Sequence, residues 1–284
     1  MGPLKFQFGG MHQSRPTFAQ GRESSPPRGI EYYFCMKVLG IDVGGTGIKG
    51  APVELPSGEI LAEHLHLPTP QPATPGAVTA AIKKMIQHFQ FSGPVGVGFP
   101  GVMRHGVVAT AANLSPSWVG KPAEKLFQKA TRLPFTVIND ADAAGLAEMQ
   151  YGAGRKEKGT VVMITLGTGI GSAVFIGGVL VPNTEFGHLT LRGKDAETIA
   201  SAKAREVNGW GWKKWSKRVR EYLHLVDRLI NPDLIIVGGG VSQRAEKWLP
   251  RASKGVKAKV VPAKLHNEAG IVGAAMAGSQ KLAA

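Results

Sequence analysis

Two short polar motifs in this chain carry the side chains needed to handle a hydroxyl-rich ligand. Ile138-Asn139-Asp140-Ala141-Asp142 sets an amide between an apolar, β-branched run and an alanine-rich one, with two carboxylates close behind it. Asn183-Thr184-Glu185-Phe186-Gly187-His188 follows a second apolar run, and Glu197 lies nine residues beyond His188. Carboxylates, amides and an imidazole gathered at strand ends offer each hydroxyl of a polyhydroxylated ligand a donor or an acceptor. Strand ends are also where α/β proteins form their ligand crevices. Asp140 is the candidate general base of this set. Local sequence leaves a second reading open, in which Asp140 or Asp142 caps the helix that follows. His188 by itself fits a structural or exposed position better than a ligand.

The other chemistry-bearing feature is a repeat. Gly45-Thr46-Gly47-Ile48-Lys49-Gly50-Ala51 is echoed by Gly167-Thr168-Gly169-Ile170-Gly171-Ser172-Ala173, and both lie between apolar, β-branched segments. Glycine backbones let phosphate oxygens approach closely, and the hydroxyls of Thr46 and Thr168 add donors. The candidate phosphate-binding residues are Gly44, Gly45, Thr46 and Lys49 in the first copy, and Thr165, Gly167, Thr168 and Gly169 in the second. Gly238 and Gly239, from a later Gly238-Gly239-Gly240 run, join them. The alternative is a pair of tight glycine hairpins without a ligand. Gly45-x-Gly47-x-x-Gly50 also fits a dinucleotide fingerprint, which needs a helix directly after the glycines. Ala51-Pro52-Val53-Glu54-Leu55-Pro56-Ser57-Gly58 cannot begin one. No Gly-Lys-Ser/Thr completes a Walker A loop.

The elements that must position these groups alternate between strand and helix. Each half opens with a strand, a glycine turn and another strand: 38–43 into 51–55, and 161–165 into 173–176. A third strand is expected over 59–67. Amphipathic or alanine-rich periodicity predicts helices over 75–89, 121–131 and 141–151, and a long helical stretch over 196–230. Strands are predicted at 95–99, 135–138 and 234–237. This alternation argues for α/β layers.

Composition sets the outer bounds. The chain has 284 residues, 43% apolar and 19% charged, which suits two packed domains rather than a disordered chain. Its 38 glycines keep no three-residue period, and Cys35, the single cysteine, cannot form an internal disulfide. A reducing cytoplasm is the expected compartment. Residues 161–182 lack charge, but eight of these 22 are Gly, Ser or Thr, so two buried strands are expected rather than a membrane span. Residues 1–35 lack the apolar stretch of a signal peptide and read as a disordered extension or an overlong start.

The net charge is +14 and lies unevenly. Residues 1–200 carry 18 basic and 14 acidic side chains, whereas 201–284 carry 16 and 6. On a helix, Lys213, Lys217 and Arg220 fall within an arc of about 60°. With Lys203 and Arg205 they form a candidate channel for a polyanion, the alternative being a solvated basic face. Trp210, Trp212 and Trp215 are expected to be the apolar side of this helix rather than a stacking platform.

In these motifs the chain resembles the ROK family of sugar kinases and repressors. The resemblance rests on Ile41-Asp42-Val43-Gly44-Gly45-Thr46, the Asn139 to Asp142 motif, Leu166-Gly167-Thr168-Gly169-Ile170-Gly171, Glu185-x-Gly187-His188 and the Gly238 to Gly240 run. Within that family, Gly93-Pro94-Val95-Gly96-Val97-Gly98-Phe99-Pro100-Gly101, Thr110-Ala111-Ala112-Asn113-Leu114 and Val181-Pro182-Asn183-Thr184-Glu185 are similar to the polyphosphate glucokinases. The match runs from about residue 37 to 277, in order.

The resemblance implies an actin-like, hexokinase-type fold, two RNase H-like domains around a cleft. It implies a small domain over 36–139 completed by a terminal helix at 268–284, and a large domain over 140–267. It implies that Asp140 takes the proton of a sugar 6-hydroxyl, that Asn113, Asn139, Glu185, His188 and Glu197 hold sugar hydroxyls, and that Asp42 sits near Mg²⁺. The implied partners are glucose, with mannose as a second sugar, and polyphosphate or ATP as donor; a homodimer, no nucleic acid and no membrane are expected. Residues 189–197 lack the cysteines of the zinc site found in many members, so no zinc is expected. The family also contains repressors, which leaves a sugar-sensing regulator as the reading from another class; residues 1–35 are too short and too rich in Gly and Pro for a DNA-binding winged helix.

Overall fold

The computed structural model describes residues 35–111 and 113–280. The expected extension therefore lies outside the described residues, apart from Cys35, as do residues 281–284 of the expected terminal helix.

The internal repeat becomes two sheets of the same plan. In the first, β1 (Met36–Val43) and β2 (Gly47–Leu55) form an antiparallel hairpin, edged by β3 (Glu59–Ile60) and β4 (Leu65–Pro68). On its other side β1 pairs in parallel with β5 (Val95–Phe99), and β5 with β8 (Phe135–Asn139). In the second sheet, β9 (Thr160–Leu166) and β10 (Ile170–Ile176) make the hairpin, edged by β11 (Val179–Val181). There β9 pairs in parallel with β14 (Leu234–Gly238), and β14 with β15 (Lys259–Pro262). Two small hairpins, β6 (Met103–Arg104) with β7 (Val107–Val108) and β12 (Thr190–Leu191) with β13 (Lys194–Asp195), lie outside the sheets.

Helices cover both faces of each sheet, so the strands are buried runs. Helices α1 (Pro75–His88) and α2 (Ala123–Thr131) cover the outer face of the first sheet around Phe99, Trp118 and Phe127. Helices α4 (Glu197–Ala200), α5 (Ala202–Val207), α6 (Trp212–Ile230) and α7 (Leu249–Ala252) lie on the second sheet's outer side, where Trp215, Tyr222 and Trp248 are fully buried. Between the sheets lie α3 (Asp140–Tyr151) and α8 (Ala269–Gln280), packed on each other. The fit there is backbone on backbone. A Cβ at Gly40 would overlap the carbonyl oxygen of Ile271, one at Gly96 that of Ala274, and one at Gly273 that of Ala143.

Two expected elements divide. The strand over 59–67 is interrupted where Ala62, Glu63 and His64 turn out to solvent, leaving β3 and β4. The helical stretch over 196–230 becomes α4, α5 and α6. Ser201 leaves the helical region to cap α5 through Ala204 N, and two glycines break the chain around Trp210. Such local hydrogen bonds and glycine entropy outweigh a continuous periodic pattern.

Candidate active site

Asn139, Asp140 and Asp142 sit where β8 passes into α3, at a strand end between the two sheets. The cap of α3 is Asn139: its Oδ1 accepts from Ala141 N at 2.9 Å and Asp142 N at 3.0 Å, and its Nδ2 donates to Gly101 O at 3.2 Å. Asp140 is therefore released from capping and, among the described residues, accepts only the amide of Ala141, at 2.8 Å. Burial holds its carboxyl at about 7, far above the ordinary carboxylate range, and the charge of Asp42 adds to the rise. Asp42 is pushed up by burial too, opposed by the charge of Lys49.

The first glycine loop follows closely on Asp42, and the strand after the second passes beside Ala141, the neighbour of Asp140. The first is tied by Gly44 N donating to Gly47 O at 2.8 Å, the second by Gly167 N donating to Gly169 O at 3.0 Å. Thr69 clamps the first, its hydroxyl donating to Gly44 O at 2.6 Å and its amide to Thr46 O at 3.2 Å. Asn113 backs onto Gly45, whose notional Cβ would lie 2.9 Å from Asn113 Cβ. In the second sheet, Gly171 backs onto Ala141, and Glu197 Oε2 fills the space beside Gly169 while accepting from Ile170 N at 3.3 Å. Gly238 stands opposite Thr165 in the β14–β9 ladder, and Gly239, at φ 83°, lies against the carbonyl of Leu166.

Glu185, His188 and Glu197 form the polar side of the site. His188 Nδ1 is 2.8 Å from Asp195 Oδ2, which raises the imidazole pKa and aims Nε2 toward Glu185, 4.0 Å away. Glu185 is raised by burial, partly offset by His188. The ligand atoms of His188, Asp195 and Glu197 lie within 4.8 Å of one another.

The candidate basic residues lie on α5 and α6, and among the described residues no contact joins them to the carboxyl pair. Lys203, exposed at the start of α5, donates its amide to Gly167 O at 3.1 Å, which ties α5 to the second loop. Arg205 lies 4.1 Å above the Trp212 ring, and Lys214 and Arg218 stand 5.6 and 5.5 Å from that of Trp210. Lys213 and Lys217 are exposed and Arg220 is half-buried. Of the three tryptophans only Trp215 is wholly in the apolar core; Trp210 and Trp212 carry cations on their rings.

Thr69 and Asp195, which act through contacts named above, gave no local sequence signal. Asn183 lay in a motif already singled out, but its clamp on the β6 hairpin did not show there: its side chain accepts from Met103 N at 2.8 Å and donates to Met103 O at 2.9 Å. Asp142 Oδ2 accepts the Asn183 amide at 2.8 Å, while its buried Oδ1 has no partner and its carboxyl is raised to about 7.

A model of the ROK family matches residues 38–204, more than half of the chain. The chain belongs to the ROK family. As a ROK protein it is 51% identical over 240 residues to the polyphosphate glucokinase of Mycobacterium tuberculosis, covering 84% of this chain and 90% of that one. The crystal structure of the inorganic polyphosphate/ATP-glucomannokinase from Arthrobacter sp. strain KM matches with a TM-score of 0.83 and 49% identity, over 86% of this chain and 99% of that one. A ROK family glucokinase from Streptomyces griseus, in complex with glucose and AMPPNP, matches with a TM-score of 0.76 and 25% identity, over 86% and 100%. The expected actin-like, hexokinase-type α/β fold is thereby shown.

Proposed function

We infer that this ROK protein is a polyphosphate-glucose phosphotransferase, moving the terminal phosphoryl group of inorganic polyphosphate to the 6-hydroxyl of glucose. The observation that carries the chemistry is Asp140, freed from capping by Asn139, paired with Asp42 and set among two anion-accepting loops. In its ionised form Asp140 accepts the 6-hydroxyl proton as that oxygen attacks the terminal phosphorus. The bridging P–O bond breaks, and the shortened polyphosphate leaves with its electron pair. A base of this kind contributes a factor of about 10²–10⁴; orientation and charge stabilisation supply the rest.

Sugar orientation falls to Asn113, Asn139, Glu185, His188 and Glu197, with Asp195 fixing the imidazole ring. Asn139 retains one free N–H for this task, since its oxygen caps α3. Thr46 and Thr168 are exposed at the tips of the loops and offer hydroxyls to phosphate oxygens. Two neighbouring carboxyls, both raised by burial and Asp140 also by the charge of Asp42, form a hard oxygen donor set that suits Mg²⁺. Asp42, with Asp140 beside it, would hold the hydrated ion, which when bound neutralises charge on the transferring phosphoryl. His188 is assigned to sugar rather than to zinc, because residues 189–197 bring no cysteine to complete such a site.

The basic run from Lys203 and Arg205 to Lys213, Lys217 and Arg220 guides the polymer toward the second loop. Use of mannose, use of ATP, a homodimer and a cytoplasmic location complete this reading, with 36–139 plus the terminal helix as the small domain and 140–267 as the large one. An ATP-dependent hexokinase is the second reading, favoured by the likeness to the S. griseus glucokinase. A regulator that only senses sugar would have no use for the Asp140 base.

The test is glucose 6-phosphate formation by the purified protein with Mg²⁺, comparing polyphosphate and ATP at low and high salt. Turnover with polyphosphate that weakens with salt is expected. Turnover with ATP alone would refute the polymer reading, and none with either donor would refute a kinase.

A further inference from the structure

The ladder of the first sheet puts three side chains in one row. Asp42 on β1 stands directly opposite Lys49 on β2, and Lys49 directly opposite His66 on β4. Directly opposed residues in antiparallel pairs share a face, their Cβ atoms about 5 Å apart. The row starts at Asp42, whose charge bears on Asp140, so that face is the one that opens on the reacting carboxyls. Lys49 is near enough to Asp42 to lower its pKa. His66 is the next step outward.

His66 is placed by the glycine loop itself. A side chain at Gly47 would overlap His66 Nε2, so the imidazole lies over the bare backbone of the first loop. The residue is exposed, and among the described residues its ring accepts and donates no hydrogen bond. An unoccupied N–H beside an anion-accepting loop, in line with a lysine, matches a chain of phosphates.

We propose that His66 is a further donor-binding residue, its ring N–H holding a non-bridging oxygen of the phosphate chain one step beyond Lys49. This rests on the polyphosphate reading above and assigns the chain a path along the Asp42–Lys49–His66 row. The first loop then holds more than the terminal phosphoryl, and Gly47 is glycine because an imidazole needs the space above it.

The test compares His66→Phe, which keeps the ring and removes the donor, with His66→Gln, whose side-chain amide reaches a similar position. Steady-state constants for polyphosphate and glucose are measured alongside thermal melting. His66→Phe is expected to raise the polyphosphate KM about fivefold to tenfold, with the glucose KM within about twofold and melting unchanged. His66→Gln is expected to stay within about twofold of the unaltered protein. An unchanged polyphosphate KM in His66→Phe, or a parallel rise in the glucose KM, would overturn the assignment. If the unaltered protein used ATP and not polyphosphate, the functional reading would fail separately. His66→Phe would then be read on the ATP constant, and no change there would overturn the His66 role as well.

Discussion

Replacing Asp140 by asparagine removes the base while keeping its size and its hydrogen bond from Ala141, accepted at 2.8 Å. Loss of kcat by about 10²–10⁴ is expected, with glucose binding intact by calorimetry. The same change should stabilise the metal-free protein. The Asp140 carboxyl is raised from 3.8 to about 7 by burial and by the charges of Asp42, Glu185 and Asp142. A rise of about three units corresponds to a ceiling of roughly 4 kcal/mol. Water in the open cleft relieves part of it, so a gain of about 2 kcal/mol is expected at pH 8. The sign follows from proton linkage. Between 3.8 and about 7 the folded form binds more protons than the unfolded one, so stability falls as pH rises through that window. The asparagine variant should escape this fall. Its advantage in melting temperature should be largest above pH 7 and vanish near pH 4. The unaltered protein's kcat/KM should fall at acid pH as the base is protonated, at a pH below the metal-free value because bound Mg²⁺ favours the ionised carboxyl. Full activity in the variant would refute Asp140 as the base, and equal melting at pH 5 and pH 8 would refute the electrostatic account.

Neutralising Lys213, Lys217 and Arg220 together, each to glutamine, should raise the polyphosphate KM about tenfold and flatten its salt dependence, with the glucose KM unchanged in the same assay. Thr69→Val leaves Gly44 O without the hydroxyl at 2.6 Å; a stability loss of about 1–2 kcal/mol by urea unfolding and a higher donor KM are expected. Asn183→Ala leaves both polar groups of Met103 unpaired and places alanine at a left-handed φ of 62°. It should cost about 2–4 kcal/mol by urea unfolding and raise the glucose KM, because the segment leading to Asn113 loses its anchor.

The parts of this architecture that repeat, or that follow local rules, were legible in the residues. The duplicated strand, glycine turn and strand gave the two hairpins and hence the symmetry of the sheets. The change from β-branched to alanine-rich sequence at Asn139 located Asp140. Which residue caps α3 was not legible, since Asn139, Asp140 and Asp142 all carry suitable oxygens; the packing of Asn139 against Gly101 decides it. The Asn183–Met103 clamp joins residues 80 positions apart, beyond the reach of any periodicity. His66 lies within the strand expected over 59–67, yet its partner Lys49 is fixed only by the register of a broken edge. Trp210 and Trp212 pack against the core as their apolar type suggested, whereas the cations above them, which come from a different helix or a different turn, were not legible.

The bare contacts of α8 bear on how the chain is made. Gly40 meets Ile271 and Gly96 meets Ala274, so the inner face of the first sheet is completed by residues some 231 and 178 positions later. At about 5–20 residues per second, β1 waits roughly 12–46 seconds on the ribosome before its covering helix exists. During that interval Gly40, Gly96 and Val38 lack the helix that later covers them. The first-synthesised lobe is thus the last to close, and this lobe is where chaperone contact and misassembly should concentrate during synthesis.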